Sequence, residues 1–272
     1  MILRPKEIAR LLCARAFAVA LRARSRTCDP ASGPILVVAP HPDDETLGCG
    51  SMIAAHAKVR QPVQVIFLTD GEGSHPAHPA ISPAQLAHTR RAEALAALAA
   101  LGLPDPAHAT TFLRLPDGGL DRLSPAAAQA AVTALVDLIR LHRPGVIFTP
   151  YVLGGSTEHT AANRLTVTAC TLAPGAVLLE YPVWAWWNAF RLRPRLRPGA
   201  GNLRMALGPH REAKLRALAC HRTQTEPTSP WTEPVLPPAL VLACCGSHEF
   251  FFRSRSELPF GEATAKAARV AG

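Results

Sequence analysis

The stretch VVAPHPDDETLGCGSM, residues 37–52, sets His41, Asp43, Asp44 and Glu45 within five positions, directly behind an apolar run. A second group, GGSTEHTAAN at 154–163, contributes Glu158 and His159. These side chains ligate metals or carry protons. His41 and Asp44, three apart on a tight turn, can point toward one ion, and His159 can complete a set of two histidines and one carboxylate. Three protein ligands leave a coordination position open for water, the pattern of a catalytic rather than a structural zinc site. Zinc brings the pKa of such a water to about 7, supplying hydroxide near neutrality. Asp43, beside a ligand but directed elsewhere, is then placed to take the water's proton and pass it to a leaving group. Iron(II) accepts the same donors, so Zn2+ and Fe2+ both fit. The competing explanation is structural: an aspartate at position 43 or 44 can simply cap a helix.

Residues 41 and 159 meet only if the fold carries both groups to one edge. Strand and helix signals alternate along the chain. PILVVA (34–39) reads as a strand covered on both faces, followed by a helix over 50–60. Strands are expected at 63–71, 110–115, 145–150 and 176–182, with helices at 83–102, 125 to about 142, 158–172 and 211–222. Ser124 before Pro125 is a good cap and first-turn pair. This order predicts a three-layer α/β fold, a Rossmann-like, mostly parallel sheet with helices on both faces. Ligands bind beyond the carboxyl ends of such strands, where both polar groups fall. Residues 183–210, rich in tryptophan, arginine, proline and glycine, read as an irregular insertion, and HEFFFR (248–253) closes the domain. The organisation expected is an N-terminal basic helical extension at 1–33, one domain at 34–253 and a tail at 254–272.

The chain has 272 residues, 48% of them hydrophobic, and a net charge of +9. That charge attracts anions, but no basic motif with a groove-reading element accompanies it, which argues against nucleic acid as a partner. Seven cysteines are scattered, with no C-x-x-C pair. They fit a reducing compartment, and a cytoplasmic location is expected. The N-terminal stretch MILRPKEIARLLCARAFAVALRARSR has apolar runs broken by arginine. It reads as a basic amphipathic helix that either makes peripheral contact with an anionic membrane or caps the domain. LGCGSM lacks the third glycine of a dinucleotide site.

APHPDDETLGCGSMI resembles the signature of the PIG-L/LmbE-like zinc-dependent N-deacetylases. The resemblance spans roughly residues 34–253 and continues in FLTDGEGS, in the R-x-x-E pattern of Arg90 and Glu93, in LPDGGL, in VIFTP with EHTAANR, and in KLRALACHRTQT. It implies removal of the acetyl group from an N-acetylglucosamine-type sugar conjugate, lipid- or phosphate-bearing or not, to give a free amine and acetate. It also implies zinc on His41, Asp44 and His159, Asp43 as general base, and Arg90 and Asp117 on sugar hydroxyls. For Arg90 the alternative is an ion pair with Glu93 or Glu72; for Asp117 it is the start of an Asp-Gly-Gly turn.

One block departs from the family. H-P-D-H becomes Ser156-Thr157-Glu158-His159. Glu158 for aspartate still orients a ligand from outside the coordination sphere. Ser156 removes the histidine that helps to stabilise the oxyanion, a kind of loss that costs on the order of 10²–10³ in rate. His221 is the expected substitute, the alternative being a helix C-terminal cap. Two other functions stay open: an amidase on a larger acyl or non-sugar amide, and a catalytically impaired carbohydrate-binding relative.

Overall fold

The computed structural model describes residues 3–28 and 33–254. The tail expected at 254–272 therefore lies, beyond its first residue, outside the described residues. Helix α1 (Pro5–Ala23) and a two-residue strand β1 (Arg26–Thr27) come first. Then β2 (Ile35–Ala39), α2 (Asp44–Lys58), β3 (Val63–Thr69), α3 (Pro83–Ala100) and β4 (Thr110–Leu115) alternate. They are followed by α4 (Pro125–His142), β5 (Val146–Pro150), α5 (Thr157–Leu172) and β6 (Val177–Tyr181). Two 3-10 segments, Trp184–Trp186 and Ala189–Leu196, lead to β7 (Asn202–Ala206), α6 (Arg211–Cys220), α7 (Arg222–Thr225), α8 (Pro238–Cys244) and β8 (His248–Arg253).

The strands form one sheet in the order β1-β7-β8-β6-β5-β2-β3-β4. All neighbours are parallel except β8, which runs antiparallel to β6 and β7. Helices cover both faces, as the alternation requires. In β2, side-chain alternation sends Ile35, Val37 and Ala39 into one core and Leu36 and Val38 into the other. None of the five is more than 1% exposed. From β2 the chain moves outward to β3 and β4, then returns to place β5 on the opposite side. The crevice at the carboxyl ends of β2 and β5 is thus a topological switch point, where such sheets bind ligands.

Three local expectations are corrected. Helix α2 begins at Asp44, six residues before the expected start at 50. Gly48 and Gly50 read as breakers but allow close approach: a Cβ at Gly48 would lie 2.2 Å from Tyr181 Cδ2, and one at Gly50 would sit 3.0 Å from Lys214 Cγ. The insertion at 183–210 contains a strand, β7, whose sequence NLRMA lacks an apolar run but pairs with β8 over its whole length. The helix expected over 211–222 breaks at His221, which ends α6 and starts α7. Helix α1 buries Leu11, Ala14 and Leu21 and packs on α8 and the Ala189–Leu196 segment. Among the described residues no helix is long and apolar enough to cross a membrane.

Candidate active site

The turn from β2 into α2 builds one wall. Pro40 and Pro42 leave few conformations to the loop, and Thr69 at the end of β3 donates from N–H (3.0 Å) and hydroxyl (2.9 Å) to Pro40 O. Asp43 adopts φ 154°, a region that L-residues rarely occupy. Two groups hold it there. Its N–H donates to Glu45 Oε2 at 3.0 Å, and its Oδ2 accepts from Arg90 Nη2 at 3.0 Å. Burial pushes the Asp43 carboxyl up to about 7, with Arg90 pulling against it.

Arg90 comes from α3 and is 2% exposed. It also donates to Pro42 O at 2.7 Å and Gly71 O at 2.8 Å. Gly71, at φ +72°, makes room for the guanidinium, since a Cβ there would overlap Nη1. Arg90, expected on sugar hydroxyls, lines the cavity, and its hydrogen bonds within the protein fix Asp43 and two backbone carbonyls. The alternative ion pairs do not form. Glu93 accepts from Thr223, and Glu72 from the Asp117 N–H.

The second wall is the start of α5. Ser156 caps that helix, its hydroxyl oxygen accepting from the His159 N–H at 3.3 Å. His159 Nε2 is buried, lacks a hydrogen bond of good geometry, and lies 3.3 Å from Asp44 Oδ1. His41 Nδ1 is 3.2 Å from Asp44 Oδ2. One donor atom from each of His41, Asp44 and His159 lies within 4.8 Å of the others, the arrangement expected for a metal. His41 also groups with Asp117 and Glu158. Those two carboxylates already accept backbone N–H groups from Gly73, Gly118 and Leu120, so they suit support better than ligation.

Asp117 Oδ1 meets His41 Nε2 at 3.1 Å, and Glu158 Oε2 lies 3.8 Å from the same nitrogen. Asp117, expected on sugar hydroxyls, lines the cavity and makes a bond that orients His41 and leaves Nδ1 facing Asp44. Metal-binding histidines are commonly supported through their second nitrogen in this way. Burial pushes the Asp44 carboxyl up, but His159 and His41 reverse this and hold it well below the usual range. Asp43, Asp44, Glu45, Asp117 and Glu158 gather at this site, where Arg90 pairs with Asp43 alone. In a chain of net charge +9, so dense a local excess of carboxylate invites a further cation. The donor set and the orphaned His159 nitrogen fit a divalent metal.

His221, expected to substitute for the family histidine or to cap a helix C-terminus, stands at the C-terminal cap position of α6. It is fully buried, with Nε2 3.2 Å from Glu45 Oε1, and so reaches the site through Glu45 rather than facing the cavity. Burial lowers its pKa, but the Glu45 hydrogen bond and charge raise it above the ordinary value. Glu45 itself, the bridge between His221 and the Asp43 N–H, had no role assigned from the sequence. Its place one residue after a ligand gave no sign that it turns inward.

The cavity, of about 300 Å³, is lined by His41, Asp43, Asp44, Arg90, Asp117 and Ser156, together with Gly73, Ser74, Gly118, Trp184, Gln224, Val235 and Leu236. Of the neighbouring tryptophans, Trp184 reaches this wall, Trp186 is core and Trp187 packs under Arg10. Gln224 was also missed; its motif RTQT carries no periodic or ligand signal. His75 and His78 pack on Trp231, with His75 stacked at 4.8 Å.

The family model described as PIG-L, GlcNAc-PI de-N-acetylase, matches residues 36–170. The 1D-myo-inositol 2-acetamido-2-deoxy-alpha-D-glucopyranoside deacetylase of Mycobacteroides abscessus is 31% identical over 227 residues, covering 70% of this chain and 81% of that protein. The protein of the same name from Mycolicibacterium paratuberculosis is 32% identical over 238 residues, covering 70% and 79%. Among solved structures, N,N'-diacetylchitobiose deacetylase from Pyrococcus horikoshii matches with a TM-score of 0.63 at 17% identity, covering 97% of this chain and 99% of that one. That last likeness is one of fold.

Proposed function

The chain belongs to the PIG-L family, and from that membership we propose that it hydrolyses the N-acetyl group of an N-acetylglucosamine-type conjugate, releasing acetate and a free amine. The observation that carries this reading is the convergence of His41, Asp44 and His159 on one point beside Asp43, a carboxylate held by Arg90 at a cavity wall. The relatives named above act, by their names, on a 2-acetamido-2-deoxyglucopyranoside of inositol.

His41, Asp44 and His159 would hold a divalent ion, with zinc suited to two imidazoles and a carboxylate and iron(II) accepted by the same donors. When bound, such an ion supplies Lewis acidity that polarises an amide carbonyl and acidifies water. Asp43 accepts the proton that the attacking water loses and returns it to the amide nitrogen as the C–N bond breaks. Arg90 and Glu45 keep that carboxylate and its backbone in place. Asp117 fixes the ring of His41, and Glu158 ties the 117–120 turn to the start of α5. Ser156 lines the cavity at the position where the family histidine would donate to the oxyanion. Its oxygen accepts from His159, which leaves its own hydroxyl hydrogen as a donor.

The test is incubation of purified, zinc-loaded protein with N-acetylglucosaminyl conjugates, including an inositol glycoside and a chitobiose. We expect primary amine to appear with an equal amount of acetate. Asp43→Asn should lower kcat by about 10²–10⁴. Release of a longer acid from N-acyl analogues, with no acetate from any acetyl sugar, would replace this reading with an amidase on larger acyl groups.

A further inference from the structure

We propose that the outward face of α1 docks on an anionic lipid bilayer. One side of the helix is buried through Glu7, Leu11, Ala14 and Leu21. The opposite side exposes Ile8 by 45%, Leu12 by 59% and Val19 by 70%. At about 100° per residue these three fall within about 40° of arc. Exposed Ala9, Ala16 and Ala23 extend the same sector. Arg15 and Arg22 border it, both exposed. The helix's one carboxylate, Glu7, is turned inward and lies 3.6 Å from Arg4 Nε. The exposed surface of α1 is therefore an apolar strip with a cationic margin and no anion, the composition of a helix lying in a membrane interface.

The margin continues into a groove of about 680 Å³, lined by Arg15, Arg22 and Arg211 together with Val19 and Leu242. Among the described residues none of these three arginines has an acidic partner, so all three are free to meet lipid phosphates. Leu242 adds a further 36% exposed apolar side chain. Charge also separates this occupant from a second copy of the chain. An isologous dimer would press the same guanidinium groups against each other, whereas an anionic surface neutralises them. The helix is tied to segments that adjoin the cavity lining in sequence: Arg10 donates to Trp187 O at 2.7 Å, three residues beyond Trp184, and Arg4 pairs with Glu233, two residues before Val235.

The experiment is flotation of the full chain with phosphatidylcholine vesicles, with and without phosphatidylglycerol. Binding is expected only with phosphatidylglycerol and should weaken as salt rises. The pair Leu12→Asp with Val19→Asp should cut the bound fraction about tenfold or more, while melting temperature and turnover of a water-soluble substrate stay unchanged. Arg15→Gln with Arg22→Gln, which leaves the apolar strip intact, should remove the salt-sensitive part. No flotation with either vesicle, equal flotation of variants and wild type, or a dimer that the same aspartates dissolve would overturn the proposal.

Discussion

Asp43 illustrates how much of the site is devoted to holding one carboxylate. Its backbone takes a disfavoured φ, its N–H is fixed by Glu45, and its side chain by an arginine that is itself almost wholly buried. Replacing Arg90 by Met would leave Asp43 without its ionic partner and Pro42 O without its donor, while Gly71 O would keep only the Ser74 N–H at 3.3 Å. The expected cost is about 3–5 kcal/mol of stability, as for breaking other buried pairs, read from urea unfolding, together with a loss of turnover. At this scale the sequence disclosed the ligand types and Asp43 because they stand in one dense motif. It did not disclose whether Arg90, Asp117 and His221 face substrate or protein. That depends on partners distant in sequence: Pro42 O for Arg90, His41 for Asp117, and Glu45 for His221.

Helix α2 is the element on which the site turns, and every residue from Asp44 to His56 is buried. Its glycines set how closely it can approach β6 and α6. Gly48→Ala should gain about 1 kcal/mol of helix propensity but force the added methyl into Tyr181. That ring is 0% exposed and pinned by its hydroxyl, which donates to Val38 O at 2.8 Å. Overpacking of about 1–3 kcal/mol should win, so the variant is expected to melt lower than wild type. Lys214 of α6 joins the same helix to β8, donating to Leu47 O and Glu249 Oε1 at 2.8 Å each. Burial lowers the Lys214 pKa, but Glu249 more than reverses this and raises it above its ordinary 10.5. A raised folded value means that the pair's stabilisation is complete below pH 10.5 and fades as pH climbs through the higher folded pKa. Unfolding of wild type against Lys214→Met should therefore show a stability gap that narrows on the alkaline side as Lys214 loses its proton. The β2, β3 and β5 strands were legible because their apolar runs are buried on both faces. Strand β7 was not, because its pairing with β8, rather than its own composition, makes it a strand.

Across the whole molecule, the sheet order matters more than any single element. Placing β5 beside β2 is what brings residue 159 to residues 41 and 44, and the alternation of strands and helices made that adjacency readable in advance. What alternation did not reveal is the antiparallel β8, which joins β6 to β7 and, through Glu249, reaches the backbone N–H groups of Ser51 and Met52 in α2. The account as a whole rests on a cation shared between the two halves of the sheet. Its most direct test is zinc titration of the apo protein against a chromophoric chelator, for wild type, His159→Ala and Asp43→Asn. The account predicts one equivalent bound tightly by wild type and by Asp43→Asn, with affinity collapsing in His159→Ala. Equal zinc affinity in wild type and His159→Ala, or no uptake by wild type, would contradict it.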